Sequence, residues 1–175
     1  GAAPVCTGPI DRFARRFAPH GFRPGAMMPV YGLAECSVGL AFPPVGRGPR
    51  VDRVARAAFQ GAGRAEAALP GDATALEFVS AGRELPEHEV RIVDDAGAPL
   101  GERSVGRLVF RGPSMTAGYY RQPETTAAIT LPGGWLDSGD LAYRADGEIH
   151  VCGRRKDLII KGGRNLVPQE IEEAA

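Results

Sequence analysis

A chain of 175 residues is long enough for one sizeable core, or for one domain and parts of others. Its 43 % hydrophobic and 24 % charged residues are ordinary for a globular protein, and 21 basic against 21 acidic side chains leave nothing to attract nucleic acid or a charged membrane. No apolar run approaches the ~20 residues that span a bilayer and no secretory pattern opens the chain, so a cytoplasmic protein without a transmembrane segment is expected.

In chain order, Ile10, Phe13, Ala14 and Phe17 recur at helical spacing opposite Asp11, Arg12, Arg15 and Arg16. This predicts a short amphipathic helix bracketed by Pro9 and Pro19. Residues 27–31 read as a buried strand leading into Tyr31-Gly32-Leu33-Ala34-Glu35. Residues 43–72, rich in Gly and Pro among Arg and Ala, read as a loop-rich stretch with one helix around Val51–Phe59. From Ala75 the pattern changes to short strands, Leu76–Val79, Glu89–Val93 and Gly106–Arg111, separated by turn residues. Asp94–Gly97 is one such tight turn rather than an acidic site. Pro123–Ile129 reads as a helix with Pro in its first turn. Asp137–Ala142 and Glu148–Val151 read as strands joined by an Asp146-Gly147 turn, so this half is expected to be a small antiparallel barrel or sandwich.

Composition changes again at Gly153, where a strand Asp157–Ile160 and a helix from Pro168 suggest another small unit. Residue 1 is Gly and Glu170–Ala175 reads as a helix begun and not finished, so both ends are expected to be cut. Cys6, Cys36 and Cys152 are odd in number and far apart. They fit reduced thiols better than a disulfide framework or a metal site.

Two places carry chemistry. Gly32 lets the chain turn sharply, Tyr31 could present its ring to a planar base, and Glu35 is a hard oxygen ligand suited to Mg²⁺ between phosphates. Packing and a turn would explain the same residues without function. Further on, Asp137-Ser138-Gly139-Asp140 sets two carboxylates and a hydroxyl around a Gly, with Trp135 as a shield. Asp140 on such a turn could take two ribose hydroxyls. Arg154, Arg155, Lys156, Lys161 and Arg164 then interleave with Gly153, Gly162 and Gly163. A solvated charged face is the plain reading, but the apolar Leu158, Ile159 and Ile160 inside the run turn some of these cations toward a cleft. Guanidinium and carboxylate together suit a bound nucleotide.

These segments, in this order and spacing, resemble the adenylate-forming superfamily of acyl-CoA synthetases and luciferase-like enzymes. The resemblance lies in Tyr31–Glu35, Ser138–Asp140, the run Gly153–Asn165 and Pro168–Glu172, and Gly1–Pro4 is similar to the superfamily's adenine loop. Within it the chain is most similar to the fatty acyl-AMP ligases, on Ala34, on Phe78–Arg83 and on an insertion around Arg50–Ala68. The fold this resemblance implies is α/β with a small antiparallel β-barrel: the distal part of a large N-terminal adenylation domain plus the beginning of a small α+β C-terminal domain. Residues 1–42 would end the α/β adenine-binding subdomain, 43–74 form the insertion, 75–152 the barrel-like subdomain, and 153–175 the hinge and start of the C-terminal domain.

The resemblance also implies roles. Ala2 and Ala3 would line the adenine, Tyr31 stack on it and Gly32 allow its approach. Glu35 would bind Mg²⁺ at the phosphates, Asp140 hold the ribose hydroxyls, Arg154 meet ribose or phosphate, and Lys156 act as the pivot between adenylation and transfer. ATP and Mg²⁺ are the implied cofactors, a fatty acid the substrate, and an acyl carrier protein the partner. The superfamily's phosphate loop, which should precede residue 1, matches nothing here; its catalytic Lys should follow residue 175. These 175 residues alone are therefore expected to be inactive. A long-chain acyl-CoA synthetase stays open as an alternative, as does a non-catalytic remnant or segment of a polyketide or peptide synthase.

Overall fold

The computed structural model describes Val5, residues 7–161 and residues 164–166. Its frame is an antiparallel sheet of β5 (Glu89–Val93), β6 (Gly106–Arg111), β7 (Thr130–Leu131), β8 (Trp135–Ala145) and β9 (Glu148–Arg154). β8 is the spine. One edge carries β6, and the other carries β7 along its first residues and β9 along the rest. In β5 the outward Glu89 and Arg91 alternate with buried Val90 and Ile92, the period of a half-buried strand.

Ahead of this sheet come α1 (Thr7–Phe17), β1 (Ala41–Phe42), β2 (Val51–Val54), α2 (Arg56–Ala62), β3 (Leu76–Val79) and β4 (Arg83–Glu84). β2 pairs with β3 and β1 with β4. Just past β3, Ala81 and Gly82 exchange backbone hydrogen bonds with Ile149, which joins these small ladders to β9 and curls the whole into a half-barrel. The two faces of the curl hold separate cores. Leu108, Phe110, Ala142 and Ile149 pack with Tyr31 and Leu40, while Tyr143, Ala145 and Cys152 pack with Phe59 and Phe78. α3 (Pro123–Ile129) leads into β7, and β10 (Ile159–Lys161) pairs with β11 (Arg164–Leu166).

The strands at 76–79, 89–93 and 106–111, the turn at 94–97 and the helix at 123–129 lie where the sequence places them. Four expectations need correction. Residues 27–31 form no buried strand: Met28 and Val30 are exposed, and only Tyr31 makes a bridge, to Ala41. Val51–Phe59 is not one helix, because Val51–Val54 takes up pairing with β3 and the helix starts at Arg56. Asp140 lies inside β8 rather than on a free turn. Arg155–Asp157 is a 3₁₀ turn, so the following strand begins at Ile159. The expected helix from Pro168 lies outside the described residues. The stripe of α1 is formed but half open, with Phe13 44 % and Phe17 42 % exposed. Among the described residues no helix is long and apolar enough to cross a membrane.

Candidate active site

A bulge in β8 builds the first half of the site. While β6 advances from Arg107 to Val109, its partners on β8 pass from Leu141 to Asp137, so Ser138, Gly139 and Asp140 swing out of the β6–β8 pairing. Gly139 supplies the left-handed backbone this needs, at φ 75°. The loop is closed by its own side chains. Asp137 accepts the Gly139 N–H at 2.9 Å, and the Ser138 hydroxyl donates to Leu108 O at 2.7 Å while accepting the Asp140 N–H at 3.1 Å. Asp137 is also bound by Arg107 at 2.6 Å, so this carboxylate is an anchor for the bulge.

Asp140 is placed differently. It is 3 % exposed, takes the Tyr31 phenol at 2.6 Å, and stands 4.0 Å from Arg154 Nε, its partner across the β8–β9 ladder. That last separation is an ion pair without a hydrogen bond. Burial pushes the Asp140 carboxyl above the usual range, against the opposing pull of the Tyr31 bond and the Arg154 charge. Burial, and then the Asp140 charge, likewise push the Tyr31 phenol up, so it stays a protonated donor.

The second half is the arch from Tyr31 to Ala41. Tyr31 exchanges backbone hydrogen bonds with Ala41 at 3.0 and 2.9 Å, and between them Ala34–Cys36 forms a 3₁₀ turn. Ser37 and Val38 follow in left-handed conformation, at φ 46° and 74°. For a β-branched residue that is strained by ~1–3 kcal/mol. The turn presses the Val38 carbonyl onto Gly32, where a Cβ would lie 1.6 Å from the oxygen. Gly32 is therefore required by the arch itself, before any ligand is considered.

Glu35 projects from this turn. Tyr119 donates its phenol to Glu35 Oε1, and the Thr116 N–H donates to the Glu35 carbonyl at 2.8 Å. The bond to Glu35, then burial, push the Tyr119 phenol up to about 12. Ser114 ties the same loop down, 3.2 Å from Cys36 Sγ and 2.7 Å from His88 Nε2.

Both halves face one cleft of about 830 Å³, lined by Gly32, Glu35, Tyr119, Asp140, Arg154 and Lys156 among others. Five of the expected site residues thus meet there. Tyr31 does not: its ring is 4 % exposed and packs in the core, so what it touches is Asp140. Ala2 and Ala3 lie outside the described residues. Trp135 does not line the cleft; it packs with Val93 and Val109, with the guanidinia of Arg91 and Arg111 over its ring. Tyr119 escaped sequence reasoning because its partner is far away in the chain.

Among the described residues no group of three or more His, Cys, Asp or Glu could hold a metal. Glu35 is a hard oxygen donor at the cleft, the kind of single protein ligand that Mg²⁺ accepts beside phosphate oxygens and water.

Similarity to known proteins decides the family. The AMP-binding enzyme family matches residues 1–120, which include the arch, Glu35 and Tyr119. The chain belongs to that family. A protein of Caulobacter vibrioides, provisionally named an acyl-CoA synthetase, is 40 % identical over 95 % of this chain and 29 % of its own length. The long-chain-fatty-acid–AMP ligase FadD26 of Mycobacterium tuberculosis is 34 % identical over 98 % of the chain and 31 % of its own length. Among solved structures, one from work on fatty acyl-adenylate ligases of E. coli and L. pneumophila superposes with a TM-score of 0.92 at 39 % identity. That match takes in 99 % of this chain and 31 % of the other. The chain therefore spans about a third of the length of the relatives it matches. This family member shares its fold with adenylation domains.

Proposed function

We propose that this chain serves, within a longer enzyme, the ATP-dependent activation of a fatty acid. The acid's carboxylate oxygen attacks the α-phosphorus of ATP, a C–O–P bond forms, the α–β phosphoanhydride bond breaks and pyrophosphate leaves. A phosphopantetheine thiol of an acyl carrier protein then attacks the acyl carbon, losing its proton as AMP departs. The observation that carries this reading is one cleft holding the buried Asp140 carboxylate, Arg154 and Glu35 together. FadD26 supports the acid substrate, because its name describes a ligase of long-chain fatty acid and AMP.

In this reading Asp140 accepts the two ribose hydroxyls, its carboxylate held in place by Tyr31. Arg154 meets ribose or phosphate oxygens from the facing strand. Gly32 keeps the arch closed at the nucleotide, and Ala2 and Ala3 line the adenine. Glu35 offers its second oxygen to Mg²⁺, which when bound would neutralise phosphate charge. Displacement at phosphorus calls mainly for positioning and charge stabilisation, and these side chains supply both. We read residues 1–42, 43–74 and 75–152 as parts of the large domain and 153–175 as hinge and start of the small one. Lys156, exposed on its 3₁₀ turn, is the pivot.

The test is ATP–pyrophosphate exchange with a long-chain acid. Exchange by the full-length enzyme and none by residues 1–175 alone is expected, and robust exchange by the short chain would overturn the second half. A second reading, acyl-CoA synthetase, has the Caulobacter relative in its favour. Acyl-CoA formed on adding CoA to the full-length enzyme would select it over the ligase.

A further inference from the structure

We propose that Tyr119 is a positioning residue for Glu35, its phenol holding one carboxylate oxygen so that the other alone is offered to a divalent cation at the phosphates. The inference rests on the reading of Glu35 as the cation ligand. Tyr119 is well placed to act as a fixed arm. Its N–H donates to Thr126 Oγ1 at 2.9 Å, and that hydroxyl is itself bound to Gln122 O at 2.9 Å at the start of α3. On its other side the Gly118 N–H donates to Thr116 Oγ1 at 3.1 Å, and the Thr116 N–H holds the Glu35 carbonyl at 2.8 Å. Gly118 has no room for a side chain, since a Cβ would meet Thr126 at 2.7 Å. The loop thus grips Glu35 twice, by its backbone and by its carboxylate, and α3 braces the loop.

Among the described residues Glu35 has no other side-chain hydrogen bond and no ion pair, so the Tyr119 phenol is the polar contact that orients its carboxylate. A ligating carboxylate oriented by an outer hydrogen bond typically loses ten- to hundredfold in metal affinity when that bond is removed. Tyr119→Phe keeps the ring and deletes only the donor.

The experiment titrates Mn²⁺ into the full-length enzyme saturated with a non-hydrolysable ATP analogue and reads the enzyme-bound signal by EPR. Mg²⁺-dependent pyrophosphate exchange is followed in parallel. Tyr119→Phe is expected to raise half-saturation ~10- to 100-fold, with exchange recovering at high Mg²⁺, and Glu35→Gln to raise it at least as far. Thr126→Val, which loosens only the brace, should shift it in the same direction by less. A Tyr119→Phe value within twofold of wild type, beside a shifted Glu35→Gln, overturns the role of Tyr119 and leaves Glu35 standing. An unshifted Glu35→Gln overturns both.

Discussion

At the turn end of the β8–β9 hairpin, Glu148 is met by Arg47, by the Ser80 hydroxyl at 2.5 Å and by Arg50 at 3.7 Å. At the far end, Asp140 has one hydrogen bond, from Tyr31, and its nearest cation stands 4.0 Å away. Both carboxylates are buried, at 5 % and 3 % exposure, and desolvation raises both, Asp140 being set deeper among protein atoms. For Glu148 burial is outweighed by the bonds from Arg47 and Ser80 and by the charges of Arg47 and Arg50, and its carboxyl falls below the usual range. For Asp140 burial prevails, and the carboxyl rises. The same ladder carries a charge that the protein has answered in full and one that it has answered in part. The incomplete end is the one that opens on the cleft.

That contrast can be broken by mutation. Asp140→Ala should have the largest effect, lowering AMP affinity at least a hundredfold in calorimetry. The ribose would lose hydrogen bonds to a charged group worth ~1.5–3 kcal/mol each. Glu148→Ala should act on folding instead. Removing one partner of a buried ion pair costs ~3–5 kcal/mol, and the 23 % exposure of the Arg47 side chain brings the expectation toward ~2 kcal/mol. It would be read as a lower urea midpoint, with AMP affinity unchanged. A Glu148 variant that weakened AMP binding as much as Asp140→Ala would abolish the distinction between the two ends.

Acid sharpens the comparison with a smaller effect. Because the folded-state value of Asp140 is raised, its ionised form opposes folding above its unfolded value, and that opposition is relieved as pH falls through the folded value. Glu148 has the opposite sign. Its contribution is present above its unfolded value, 4.5, and is lost as pH falls through its lower folded value. AMP affinity should therefore decline at a higher pH than that at which the fold gives way. Parallel titrations by calorimetry and circular dichroism would check this, and coincident transitions would contradict it.

The strands at 76–79, 89–93 and 106–111 and the helix at 123–129 are legible because their signals are local: alternation in the strands, Pro at the helix start, Gly and Asp at the turns. Val51–Phe59 is misleading for a related reason. Its apolar spacing suits a helix as well as a strand, and β3 alone decides that Val51–Val54 becomes a strand. Residues 27–31 look like a core strand from their apolar content, yet Met28 and Val30 face outward.

The site divides along the same line. Residue type and order were enough to single out Gly32, Glu35 and Asp140, since a permissive backbone, a hard oxygen ligand and a carboxylate carry their chemistry with them, whereas Arg154 and Lys156 were picked from a run of cations only by the family resemblance. Tertiary structure alone decided which of two nearby carboxylates is held by Arg107 and which is held by the Tyr31 phenol at the edge of the cleft. It turned Tyr31 from the cleft toward Asp140, and it brought Tyr119 to Glu35. Hydrogen-bond partners and burial depend on which strands meet, and that information lies in contacts between residues far apart in the chain.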